Sequence, residues 1–166
     1  MKHNIEAKEK NAPDDFIQEY IDNVLKGNMD FFEENFSDLN ISQYKYSSKE
    51  ALDELGLDSD LLDQLVEDYV KQIINSKKQF IEYLIDMKNN REFDYTPLRE
   101  LAHKNLGVAR NLRIYDAREI LEELMENDDL DYLTLCVLGL EYAAIRLNPI
   151  CAYETLRLID IKNSFS

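Results

Sequence analysis

His103 lies in the run Leu98-Arg-Glu-Leu-Ala-His-Lys-Asn-Leu-Gly-Val-Ala-Arg-Asn-Leu112, and the chain's other histidine, His3, sits near its start. Imidazole titrates near about pH 6.5, so at cellular pH much of it is neutral and nucleophilic. Such a ring can ligate a metal, pair with a cysteine nucleophile, or accept a phosphoryl group and pass it on. Glu100-Leu-Ala-His103 has the Glu-x-x-His spacing of di-iron bundles, but a second such pair is missing because His3 has no comparable neighbour. A zinc site fails for the same shortage of ligands. Cys136 and Cys151 have no metal-type spacing and no activating neighbours, which makes a Cys–His nucleophile a weak third class. Phosphoryl relay asks for less. It needs an exposed histidine, an approach surface and a nearby cation, since the transfer is mostly positioning and charge neutralisation.

The elements that would position His103 can be read from spacing. Leu98, Leu101, Ala102, Ala109 and Leu112 recur at helical steps, with Thr96 as the expected N-cap and Pro97 in the first turn. At about 3.6 residues per turn, His103 points off that stripe, beside Arg99, Glu100, Leu106, Gly107 and Arg110. Arg110 lies within ~20° of the His103 direction, whereas Lys104 points about 100° away.

Asp14 or Asp15 is expected to cap a first helix ending at Gly27, followed by a short apolar group, Met29 to Leu39, whose aromatics suggest packing rather than a cofactor. Ile41, Tyr44 and Tyr46 give a faint strand signal. Ser47-Ser-Lys-Glu50 is a capping box opening a helix that Gly56 closes. Asp58 then caps a stripe from Leu61 to Ile85 that runs to Asn89, some ~45 Å of helix. Beyond a turn at Arg113 and Ile114, helices are expected over 115–126, 130–147 and 150–161. Helix after helix with short connectors predicts an all-α, antiparallel bundle.

Composition narrows the partners. The 166 residues suit one domain with reduced thiols, no apolar run approaches the ~20 residues of a membrane span, and the start lacks a signal-peptide core, so a cytoplasmic protein is expected. The net charge of −15 argues against nucleic acid and anionic membrane. Residues 91–118 are an exception, with six basic side chains against four acidic ones, a local +2 that leaves −17 elsewhere. The histidine thus sits in a basic island suited to an anion.

Ala102-His103-Lys-Asn-Leu-Gly107-Val-Ala-Arg110-Asn111-Leu112 resembles the signature of histidine phosphotransfer (HPt) domains, in which the histidine is followed by Leu-Lys-Gly, two small residues, and later a leucine-like residue before glycine. Leu55-Gly-Leu-Asp58, the long helix and Leu121-Glu-Glu-Leu124 also sit where that family has comparable features. The resemblance covers about residues 48–147 and implies an antiparallel four-helix bundle there, with 1–47 an N-terminal helical extension and 148–166 a C-terminal helix and tail. It implies His103 as phosphoacceptor, Arg110 as the stabilising cation, and Arg99, Lys104, Leu106 and Gly107 as a docking face. It implies as partners a histidine kinase and the receiver domain of a response regulator. The protein itself would need no cofactor, Mg²⁺ coming with the receiver, and would have no catalytic turnover of its own. A homodimer is compatible with this reading. Three positions depart from the pattern: Asn105 replaces the apolar residue, Leu106 the lysine, and Arg113 the closing glycine. They keep open an alternative, a degenerate HPt-like module that docks receivers without phosphotransfer.

Overall fold

The structure is a computed structural model that describes residues 12–90 and 93–165, with the backbone alone for 12–17 and 20. Among the described residues there are seven α-helices: α1 Ala12–Asn35, α2 Ser48–Leu55, α3 Ser59–Asn89, α4 Thr96–Asn111, α5 Tyr115–Glu126, α6 Leu130–Leu147 and α7 Pro149–Ser164. A 3₁₀ turn, Ser37–Leu39, follows α1. No strand occurs among them. The connector 40–47, where alternation hinted at one, is irregular.

Local chemistry sets most boundaries. Ser47 Oγ accepts the Glu50 amide at 3.2 Å, and Gly56 closes α2 at φ 67°. Asp58 Oδ1 accepts the Asp60 amide at the head of α3, and Asp129 Oδ1 those of Asp131 and Tyr132 at the head of α6. Asn148 ends α6, and its side chain accepts the Cys151 amide to start α7, with Pro149 in the first turn. That helix continues past the expected residue 161 to Ser164.

Three sequence expectations are corrected. The first helix does not stop at Gly27 but runs through it, and it begins before Asp14 and Asp15, so neither caps it. One mid-helix glycine costs about 1 kcal/mol, too little to end a helix that buries Asn28 and Phe32 beyond it and leads into the buried Phe36. The cap of α4 is not Thr96, which is already helical; Asp94 Oδ1 accepts the Thr96 amide at 3.0 Å. Leu61 and Ile85, counted in the α3 stripe, are exposed. The expectations that Phe16, Ile17 and Tyr20 recur on the apolar stripe of this helix and that the polar stretch 1–12 is frayed rest on residues outside those whose side chains are described.

The helices pack in a cycle. α3 lies against α4, α4 against α5, α5 against α6, and α6 back against α3. α1 packs on α6, and α7 on α3 and α6. Phe31 sits 4.6 Å from the Tyr142 ring and Phe36 5.9 Å from that of Tyr132. Gly139 makes that approach possible, since a Cβ there would stand 2.9 Å from Phe36 Cε2. Phe32, Phe36 and Ile41 therefore belong to the same apolar core as Leu98, Ile120 and Leu140. No described helix is long and apolar enough to cross a membrane.

Candidate functional site

α4 meets the core through Leu98, Ala102, Asn105, Leu106 and Ala109. His103, Lys104, Gly107 and Arg110 face outward. Leu106, expected on the docking face, is 4% exposed, so it packs inward and is removed from that face. The reason is visible in the stripe. Leu106 continues Leu98, Ala102 and Ala109 at helical steps, and burial of its side chain is worth about 1.5–3 kcal/mol. Asn105 occupies a fully buried position beside it. Its Oδ1 accepts Gln72 Nε2 at 2.8 Å and its Nδ2 donates to the Leu101 carbonyl, so both ends of the amide are satisfied and α3 and α4 are tied in register.

Around the imidazole lies a shallow groove of about 390 Å³ lined by Tyr95, Thr96, Arg99, Glu100, His103 and Met125. Arg99 stacks its guanidinium 4.6 Å from the Tyr95 ring centre and donates to Asp128 Oδ1 at 2.8 Å. Tyr95 donates its hydroxyl to the Asp128 carbonyl. One turn beyond the histidine, a Cβ built on Gly107 would meet nothing within 4 Å. The outer side of α4 is therefore open there.

The basic island does not survive folding as a free positive patch. Arg99 pairs with Asp128, Arg110 with Glu122 at 3.1 Å, Arg113 with Glu54, and Arg118 with Glu119. All four carboxylates lie outside 91–118: Glu54 on α2, Glu122 on α5, Asp128 in the connector before α6, and Glu119 next to Arg118 along α5. Arg110 is exposed and reaches across to α5. Lys104 has no ion pair among the described residues.

Downstream of Arg110 the helix ends in an αL residue. Arg113 adopts φ 63°, and the Arg113 and Ile114 amides donate back to the Arg110 and Ala109 carbonyls, a Schellman arrangement. Its guanidinium also donates to the Arg110 and Asn111 carbonyls, neutralising the helix end. Tyr46 donates to the Leu112 carbonyl at 2.7 Å and Tyr44 to that of Arg113, so the 40–47 connector straps the end of the histidine helix.

A second polar centre went unread in the sequence. Asp116 is 2% exposed, and its Oδ2 accepts both Nε and Nη2 of Arg146. Arg146 also donates to the carbonyls of Ile41 and Ser42 and stacks 4.2 Å from the Phe32 ring centre. A single arginine near the end of the leucine-rich run 130–147 was the available signal, because such a residue needs a buried counter-charge. The two cysteines are free and buried. Burial pushes the Cys136 thiol up to about 12 and raises that of Cys151, which removes both as thiolates at neutral pH. No group of three or more metal-ligating side chains occurs among the described residues.

No protein-family model, curated protein or solved structure matches this chain. The likeness to HPt domains thus rests on residues 102–112 and on the features quoted with them.

Proposed function

We propose that the protein is a cytoplasmic histidine phosphotransfer protein built on an HPt-like four-helix bundle, α3 to α6, with α1 and α7 as the added terminal helices. One observation carries the reading: the exposed His103 stands one turn before the exposed Gly107, on the open side of α4. A glycine in a helix with no inward neighbour to accommodate costs stability, and it clears space for another molecule's backbone. The conformation of Arg113 adds support, since φ 63° is one that glycine takes without strain, and glycine is the family's residue there.

In the proposed step a ring nitrogen of His103 attacks the aspartyl phosphate of a receiver domain. The N–P bond forms as the O–P bond breaks, the carboxylate leaves, and the ring proton passes to solvent. A second receiver takes the group by the reverse exchange. Arg110 stabilises the transferring charge once the incoming phosphoryl group displaces Glu122, an exposed pair worth about 0–1 kcal/mol.

A second reading has its own support. Arg99 and Arg110 are both engaged by carboxylates and Leu106 is buried, an arrangement that suits docking of a receiver without phosphotransfer. Incubation with phosphorylated receivers and histidine kinases separates the two. The relay predicts an acid-labile, base-stable phosphate on the parent and none on His103→Gln, with receiver binding kept by both. Phosphate that survives His103→Gln would sink the relay, and binding without phosphate would leave the docking module.

A further inference from the structure

Away from His103 the structure holds a cavity of about 890 Å³ between α1, the 40–47 connector and the first turns of α3. Its size lies within the range of about 300–1,000 Å³ usual for small-molecule sites. Leu62, Val66, Met29 and Leu147 give it apolar wall, and Tyr44 and Tyr46 give it ring surface.

Its charges select the ligand. Asp116 and Arg146 both line it but neutralise each other, and the remaining donors of Arg146 are taken largely by the Ile41 and Ser42 carbonyls. This arginine therefore offers little to an anion. The charged side chains left over are Asp63 and Glu67 against Lys45, a surplus of one negative charge. Asn28 also lines the cavity. It is fully buried, its Nδ2 donates to the Tyr142 carbonyl, and its Oδ1 has no hydrogen-bond partner. That oxygen is closed off from solvent, so Asn28 contributes to the wall and not to the charge balance. Apolar wall, tyrosine rings and surplus carboxylate together suit a protonated amine on an apolar body.

We infer that this cavity binds a small organic ammonium ion with an apolar body. The ligand would rest against Tyr44 and Tyr46, whose hydroxyls hold the C-terminal carbonyls of the histidine helix. Occupancy should therefore be sensed at Leu112 and Arg113. The inference is independent of phosphotransfer, since its test reads binding alone.

Hexylamine, hexanol and hexanoate share one body and differ in charge. Titrated into the full chain at neutral pH, hexylamine should bind about five-fold more tightly than hexanol, with hexanoate the weakest. It should also shift the amide resonances of Leu112 and Arg113. Asp63→Asn with Glu67→Gln should bring hexylamine down to the level of hexanol and leave hexanol unchanged. Met29→Trp, at a half-open position on the wall, should weaken both, with circular dichroism confirming the fold. No binding of any probe, equal affinity for all three, or a preference for hexanoate overturns the inference. So does hexylamine binding that neither variant changes.

Discussion

The two arginine–carboxylate centres on either side of α5 differ in what water does to them. Arg146 and Asp116 are almost wholly buried, and every hydrogen bond between them replaces one lost to solvent. Arg110 and Glu122 stand in water, where charge is screened and either side chain can leave. The same chemical pair thus serves as a fixed fastener at one site and as a displaceable counter-ion at the other. A charge pattern in sequence carries no such distinction; burial supplies it.

The largest effect that would break this comparison is at the buried pair. Arg146→Ala leaves Asp116 with the Ala117 amide but no counter-charge and is expected to cost about 3–5 kcal/mol, read by chemical denaturation. Burial outweighs Arg146 and holds the Asp116 carboxyl above the ordinary carboxylate range. A raised carboxyl binds its proton more tightly in the folded state, so its stabilising contribution is complete below the unfolded value and is lost as pH rises through the folded one. Without the arginine the carboxyl rises further. The deficit of Arg146→Ala should therefore be smaller near about pH 4 than near about pH 7. A deficit independent of pH would mean that lost packing on Phe32, not the orphaned charge, is the cause.

At the exposed pair the expected effects are kinetic and smaller. If phosphotransfer occurs, Arg110→Ala should slow it about ten-fold, or about 1.4 kcal/mol in the barrier, with little change in stability. Glu122→Ala, which frees the arginine, should speed it about two-fold. Lys104→Ala should be milder than Arg110→Ala in rapid-quench measurements. The reverse order would make Lys104, which has no ion pair among the described residues, the cation that matters.

The smallest effect sharpens the picture of the open face. Gly107→Ala is expected to raise stability by about 0.5–1 kcal/mol, since helix propensity improves and the new methyl meets nothing. Gly107→Gln should be similarly benign in a melting experiment while slowing transfer or weakening receiver binding. Unimpaired docking by Gly107→Gln would place the contact surface elsewhere.

Local signals carried much of the fold. The capping box at Ser47, the glycine stop at Gly56, the Asp58 cap and the helix end at Leu147 were legible because each is satisfied within a few residues of chain. Helical spacing likewise gave α3, α4, α5 and α6 nearly to the residue, since burial of an apolar stripe needs only a repeat. His103 and Gly107 were correctly read as outward-facing by the same periodicity.

What the chain alone did not decide were matters of partnership. Leu106 was read through the family's docking pattern, but its place on the apolar stripe won and took it inside. Gly27 signals a helix end in isolation, but a helix anchored by Phe32 and Phe36 against α6 absorbs it. The basic island at 91–118 is real as composition, yet folding lays Asp128, Glu122 and Glu54 beside Arg99, Arg110 and Arg113. The buried Asp116–Arg146 pair joins residues thirty positions apart. Apart from Gly27 and Thr96, helix ends and apolar faces followed from the linear chain, because those preferences act over a few bonds. Which charges meet and which stay in water followed from packing, because electrostatics and desolvation depend on neighbours that the linear chain keeps far apart.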